Sequence, residues 1–365
     1  VKLSIPHSGR ALKAAFVLSS LACAGTAYAT EDFKLRFPLS GALGGEIVAP
    51  VDNPGWFGST VITTIKVDKV SDNEGNARVQ PQTSGTATLP NGTAVPYTSV
   101  TTLNVKQTQT NANILIGYLT EPNYGGGRLS FIFNLPYTLK QERTVTGTTA
   151  VTLTNPLQAA NTTVSANVAA TAKTNTNALA ASLSGEVDGF GDAEITGAWV
   201  YRKDNMKLVT GVTLAMPTGK YNASTTTLDT GLGNFYTLRT GAAVSFDVSP
   251  LWTVGAKASL GFNTRNKDTE TRSGNFAALD LAAVYRTPIG VVGPHFMHVQ
   301  QFQDDSIRKA DQPAYGRFSA TGVGAVFTTL IKPIDAGINF SYMTMIDSKN
   351  ALSGSFLQVR LTKAF

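Results

Sequence analysis

The run Ser355-Phe356-Leu357-Gln358-Val359-Arg360-Leu361-Thr362-Lys363-Ala364-Phe365 largely alternates apolar and polar residues and ends on an aromatic. A period of two means an extended strand with one apolar and one polar face. A last strand closing on phenylalanine is also how bacterial outer-membrane barrels present themselves to the barrel-assembly machinery. The same alternation recurs upstream. In 252–266 the residues Trp252, Val254, Ala256, Ala258, Leu260 and Phe262 oppose Thr253, Gly255, Lys257, Ser259, Gly261 and Asn263. In 234–247, Tyr236, Leu238, Ala242, Val244 and Phe246 oppose Thr237, Arg239, Gly241, Ser245 and Asp247. A soluble sandwich would turn these apolar faces inward. A membrane barrel turns them to lipid and lines its lumen with the polar ones.

Twelve stretches read as strands, and the gaps between them alternate. Residues 120–127, 202–205, 248–250, 287–290 and 331–334 make short turns. Residues 71–95, 146–185, 219–233, 267–273, 304–317 and 347–352 make connections that are mostly longer and more polar. Short periplasmic turns alternating with longer extracellular loops define an all-β, 12-stranded, antiparallel up-and-down transmembrane barrel over residues 56–365. Trp199, Tyr201, Trp252, Phe262 and Tyr285 at strand ends suit interfacial girdles. After residue 29 no run reaches the 18 or more apolar residues of a membrane helix, so any spanning falls to strands.

Residues 1–29 carry Lys2, Arg10 and Lys13, no acid, the apolar run Ala14-Ala15-Phe16-Val17-Leu18 and then Ala27-Tyr28-Ala29. This is the pattern of a cleavable secretory signal. The full chain has a formal charge of +6; without residues 1–29 it keeps 27 basic and 24 acidic residues, a net of +3. The basic balance therefore gives no reason to expect nucleic acid as a partner. Cys23, the one cysteine, lies within the signal after Ser20-Leu21-Ala22, a poor lipoprotein box, so the exported chain is expected to lack thiol chemistry. Residues 30–55, with Gly44-Gly45, Pro50 and Pro54, read as an irregular segment that either plugs the lumen or hangs free. The Thr, Ala and Asn rich stretch 146–185 reads as a flexible surface loop.

At Met216-Pro217-Thr218-Gly219-Lys220-Tyr221-Asn222 and on to Gly231-Leu232-Gly233-Asn234, the chain resembles the phenol meta-pathway degradation family of transporter-like outer-membrane barrels. Val70-Ser71-Asp72-Asn73-Glu74-Gly75-Asn76, Asp188-Gly189-Phe190-Gly191-Asp192, Ser273-Gly274-Asn275 and Leu279-Asp280 extend the likeness, which runs from about residue 40 to 365. The resemblance implies a barrel associated with the catabolism of aromatic compounds and distantly similar to the long-chain fatty-acid channels.

Few charges fall on the inward faces. Pairing the strands across the turn at 287–290, with opposing numbers summing to about 578, sets Asp280 opposite His298 and leaves Lys257 beside Asp280. Asn339 would face Arg360. Arg239, Lys257, Asp280, His298, Asn339 and Arg360 are thus the candidate lumen residues, either as a solute-selecting constriction or as charges bracing the wall. Twelve strands also suits an outer-membrane phospholipase, but no serine lies near His295 or His298 in a catalytic arrangement. Two histidines three apart on a strand face opposite ways, which speaks against a shared metal. Neither catalysis nor a cofactor or metal is expected. Pro136 and Pro294 each remove a ladder donor, marking either rim bulges or kinks that open a sideways exit into the bilayer. The strand pattern therefore points to a channel bedded in outer-membrane lipid, and the family resemblance implies that it takes small, hydrophobic or aromatic molecules. The alternatives are a structural or adhesive barrel and a general diffusion porin.

Overall fold

The computed structural model describes residue 36 and residues 53–80, 82–122, 124–223, 228–306 and 316–365. The expected signal, and most of the segment 30–55, lie outside these residues. The wall is built from β1 (Gly55–Val70), β3 (Ala94–Leu119), β4 (Arg128–Leu153), β5 (Gly185–Phe190) continuing as β6 (Glu194–Lys203), β7 (Met206–Ala215), β8 (Thr237–Asp247), β9 (Trp252–Asn263), β10 (Phe276–Thr287), β11 (Gly290–Gln301), β12 (Ser319–Ile331), β13 (Ala336–Lys349) and β14 (Leu352–Ala364). Every pairing is antiparallel, and β1 pairs with both β14 and β3, so the sheet closes on itself as a 12-stranded barrel. Closure leaves no unpaired edge within the membrane. At the seam the Phe365 amide donates to the Trp56 carbonyl at 2.8 Å.

The facing follows the sequence pattern. On β9, Trp252, Leu260 and Phe262 stand bare on the outer surface, whereas Thr253, Ser259 and Asn263 are buried inside. Trp56 packs with Tyr118, Trp199 with Tyr201 and Trp252 with Tyr285, ring centroids 5.2–5.3 Å apart, all at the end where the short turns lie. Such pairs form the aromatic girdle of the periplasmic interface. No described helix is long and apolar enough to cross a membrane.

The stretch 146–185 is ordered, contrary to the loop expected of it. Strand β4 continues to Leu153, and α1 (Pro156–Ala159) and α2 (Thr162–Leu183) follow. Asn161 caps α2, its side-chain oxygen accepting from the Thr163 and Val164 amides at 3.1 Å. Val168, Ala172, Thr176, Ala180 and Leu183 recur every three or four residues and form its buried stripe. They pack with Leu103, Val145, Val95 and Tyr97 of β3 and β4, on the face that continues the lumen wall upward. The short β2 (Thr83–Thr88) pairs along β3 and completes this extracellular lobe.

Both prolines coincide with breaks in the ladder. Pro136 sits where β4 changes partner from β6 to β5, and its carbonyl accepts from the Gly191 amide at 2.9 Å. Pro294 lies where the β10 to β11 register skips Ala283 and Val284.

Candidate functional site

The described lumen has two unlike walls. Ala198, Gly211, Gly241, Ser259 and Ala278 lie in one register row across β6 to β10, a smooth strip of small side chains. On the other side, Thr328, Asn339, Ser341, Gln358 and Thr63 line β12, β13, β14 and β1, each no more than 5 % exposed. The first wall offers space and the second hydrogen bonds.

At the extracellular end, Arg36 occupies a socket. Its Nε and Nη2 donate to Asp192 Oδ2 at 2.9 and 2.8 Å, and Nη2 also reaches the Gly233 carbonyl at 2.8 Å. Its Nη1 donates to the Phe235 carbonyl, and the guanidinium lies 4.0 Å from the centre of the Phe235 ring. Arg239, inward on β8, donates to the Arg36 carbonyl at 2.7 Å and pairs with Glu194 at 2.8 Å. The Arg36 and Asp192 side chains are 2 % and 8 % exposed, so this is a desolvated, multiply hydrogen-bonded ion pair.

Asp192 does more than hold Arg36. Its Oδ1 accepts from the Gly219 amide at 3.0 Å and its Oδ2 from the Leu232 amide at 2.9 Å, drawing the β7 to β8 connection down onto the gap between β5 and β6. Thr218 secures the same corner, accepting from the Ala193 amide at 2.8 Å and donating to the Gly191 carbonyl at 3.1 Å. Gly219 and Gly231 touch here: a Cβ on Gly219 would stand 2.6 Å from the Gly231 Cα, which only glycine avoids. The three segments Gly189–Asp192, Pro217–Tyr221 and Gly231–Asn234 therefore converge on the Asp192–Arg36 pair.

The candidate lumen residues are dispersed. Arg239 belongs to the Arg36 socket. Lys257 lies opposite Asp280 in the β9 to β10 register, both on inward positions. Asn339 lies opposite Arg360 four strands further round, and donates to Thr328 Oγ1 at 2.8 Å. His298 is a correction. The β10 to β11 pairs sum to 577, not 578, so Asp280 opposes Met297 and its hydrogen-bond partner is His295, which is buried beside it. His298 points outward, where it contacts Thr321 Oγ1 at 2.9 Å and lines a depression of about 730 Å³ with Val212, Leu260 and Leu279. One residue of register reverses every face, which is why the histidines exchange roles. Sequence reasoning also missed Arg36, Glu194 and the role of Asp192. Among the described residues no three His, Cys, Asp or Glu side chains converge as a metal site.

Against known proteins, residues 67–361 match the model of the family described as "Putative MetA-pathway of phenol degradation". The barrel is similar to an outer-membrane channel of Pseudomonas putida F1, at 16% identity and TM-score 0.61, covering 88% of this chain and 98% of that one. Weaker likenesses include the monoaromatic hydrocarbon channel CymD, at 12% identity and TM-score 0.36 over 90% of this chain and 94% of that one. The β domain of the Bordetella autotransporter BrkA matches at 12% identity and TM-score 0.43, over 86% and 100%. No curated protein matches the chain.

Proposed function

This chain belongs to the family of the MetA-pathway of phenol degradation, and from that premise we propose that it is an outer-membrane channel admitting small hydrophobic or aromatic molecules. The observation carrying this reading is the strip Ala198, Gly211, Gly241, Ser259 and Ala278, inward positions on five neighbouring strands that carry neither a charge nor a bulky side chain. Leaving water for such a surface is favourable by roughly 25 cal/mol per Å² of apolar area. A hydrated sugar gains little there and loses hydrogen bonds. The name of the hydrocarbon channel among the likenesses accords with this cargo.

The same reading includes export by a cleavable signal in 1–29. Of the two readings of 30–55, plug or free segment, the first is supported by Arg36, which is bonded to inward residues of β8 at the extracellular end. The structural or adhesive alternative draws on one feature, the extracellular lobe of α2 on β3 and β4.

Uptake of toluene by a deletion strain should rise at least severalfold on complementation, while liposomes carrying the protein should swell no faster in sugars than empty ones. Rapid swelling without an aromatic phenotype would point to a general porin. No effect in either assay would favour the structural barrel.

A further inference from the structure

We propose that the polar wall holds a subsite for the hydroxyl group of a hydroxylated aromatic ring, built on Ser341 and Gln358 with His295 as a further acceptor. The proposal deepens the channel reading and rests on it. Ser341 is 0 % exposed, Gln358 4 % and His295 2 %, and all three sit on inward positions. Ser341 lies directly opposite Gln358 in the β13 to β14 register. Their Cα atoms are therefore about 5 Å apart and their side chains share one face.

Each of the three leaves one polar atom without a partner among the described residues: Ser341 Oγ, Gln358 Oε1 and His295 Nδ1. Buried polar atoms are rarely left so, because each forfeits its bond to water. Their orientation is fixed by the bonds they do make. Gln358 Nε2 donates to Thr63 Oγ1 at 3.1 Å, which turns Oε1 away as a free acceptor. His295 Nε2 contacts Asp280 Oδ1, and in the tautomer that donates from Nε2 to this carboxylate Nδ1 is left as an acceptor. A serine hydroxyl can accept or donate. The set is rich in acceptors, and it asks for a guest that donates.

That chemistry separates three kinds of aromatic. A hydrocarbon has no donor and leaves the atoms unmet. A carboxylate only accepts, and would face Gln358 Oε1 and His295 Nδ1 with like polarity. A phenolic O–H donates, and its ring has apolar neighbours one register row away, where Met343 faces Phe356, and across the strand pair at Val326. His295 stands two strands across and two residues along from Ser341, in the register row of Met343 and roughly 12 Å away, and offers the hydroxyl a second stop along the wall.

The test compares uptake of labelled phenol and toluene, at limiting concentration, in a deletion strain complemented with wild type, Ser341→Ala or Gln358→Met. Heat-modifiable migration checks that each barrel is folded; Ser341→Ala removes a single oxygen and guards against misfolding of the larger change. The expected result is a phenol to toluene ratio lowered roughly threefold to tenfold in both variants, with toluene uptake unchanged, the scale of one lost neutral hydrogen bond. An unchanged ratio, or an equal loss of both solutes, overturns the subsite while leaving the channel intact. Uptake of both solutes that does not depend on the wild-type protein overturns the channel reading, and the subsite with it.

Discussion

Asp192→Ala is expected to be the most damaging single change in the lumen, costing about 3–5 kcal/mol, the usual consequence of breaking a buried ion pair from one side. Three groups lose their acceptor together: the Arg36 guanidinium, the Gly219 amide and the Leu232 amide. Arg36→Ala should cost less. It leaves Asp192 with both backbone donors, and those continue to offset the carboxylate charge. In Asp192→Ala, by contrast, Arg36 loses its carboxylate, and the carbonyls of Gly233 and Phe235 and the Thr237 hydroxyl bring no negative charge in its place. Denaturant unfolding of the two single variants and the double variant measures the coupling. A double-variant loss equal to the sum of the single losses would show that the pair does not act as a unit. The same variants in planar bilayers report on function: with Arg36 unseated, mean conductance should rise, and conductance equal to wild type would argue against a plug anchored there.

How much of this was readable in advance follows from the range of the interactions. Strand faces depend on residues two apart, so the alternation through 252–263 gave lumen and lipid sides correctly. Cross-strand register depends on turn geometry, and there an offset of one residue placed His298 inside in place of His295. Helix α2 has a stripe at spacings of four, four, four and three, but alanine and threonine on its other faces blur the contrast that marks an amphipathic helix. Its Asn161 cap and low glycine content were the available clues. The Arg36 socket had no local signal at all. Its ion-pair partners stand 156 positions apart, and the motif glycines and Asp192 carried only a family likeness until the fold brought them to one point.

Three consecutive residues of β9 test the facing directly. Ala256→Arg and Ala258→Arg put a guanidinium on the outer surface near the middle of the strand, where lipid offers no hydrogen bonds; the cost is about 2–4 kcal/mol at the bilayer midplane. Between them, Lys257→Arg keeps a cation on an inward position opposite Asp280. Folded, heat-modifiable protein in outer-membrane fractions should therefore fall sharply for the two alanine positions and hold for Lys257→Arg. A long side chain can snorkel toward the headgroups, which lowers the cost near the interfaces, so both outward variants belong mid-strand, where reaching the headgroups takes the most strain. Equal yields at all three positions would mean that the outer face is covered by protein and not lipid. A loss confined to Lys257→Arg would invert the barrel, turning the small-residue strip from a solute path into a lipid contact.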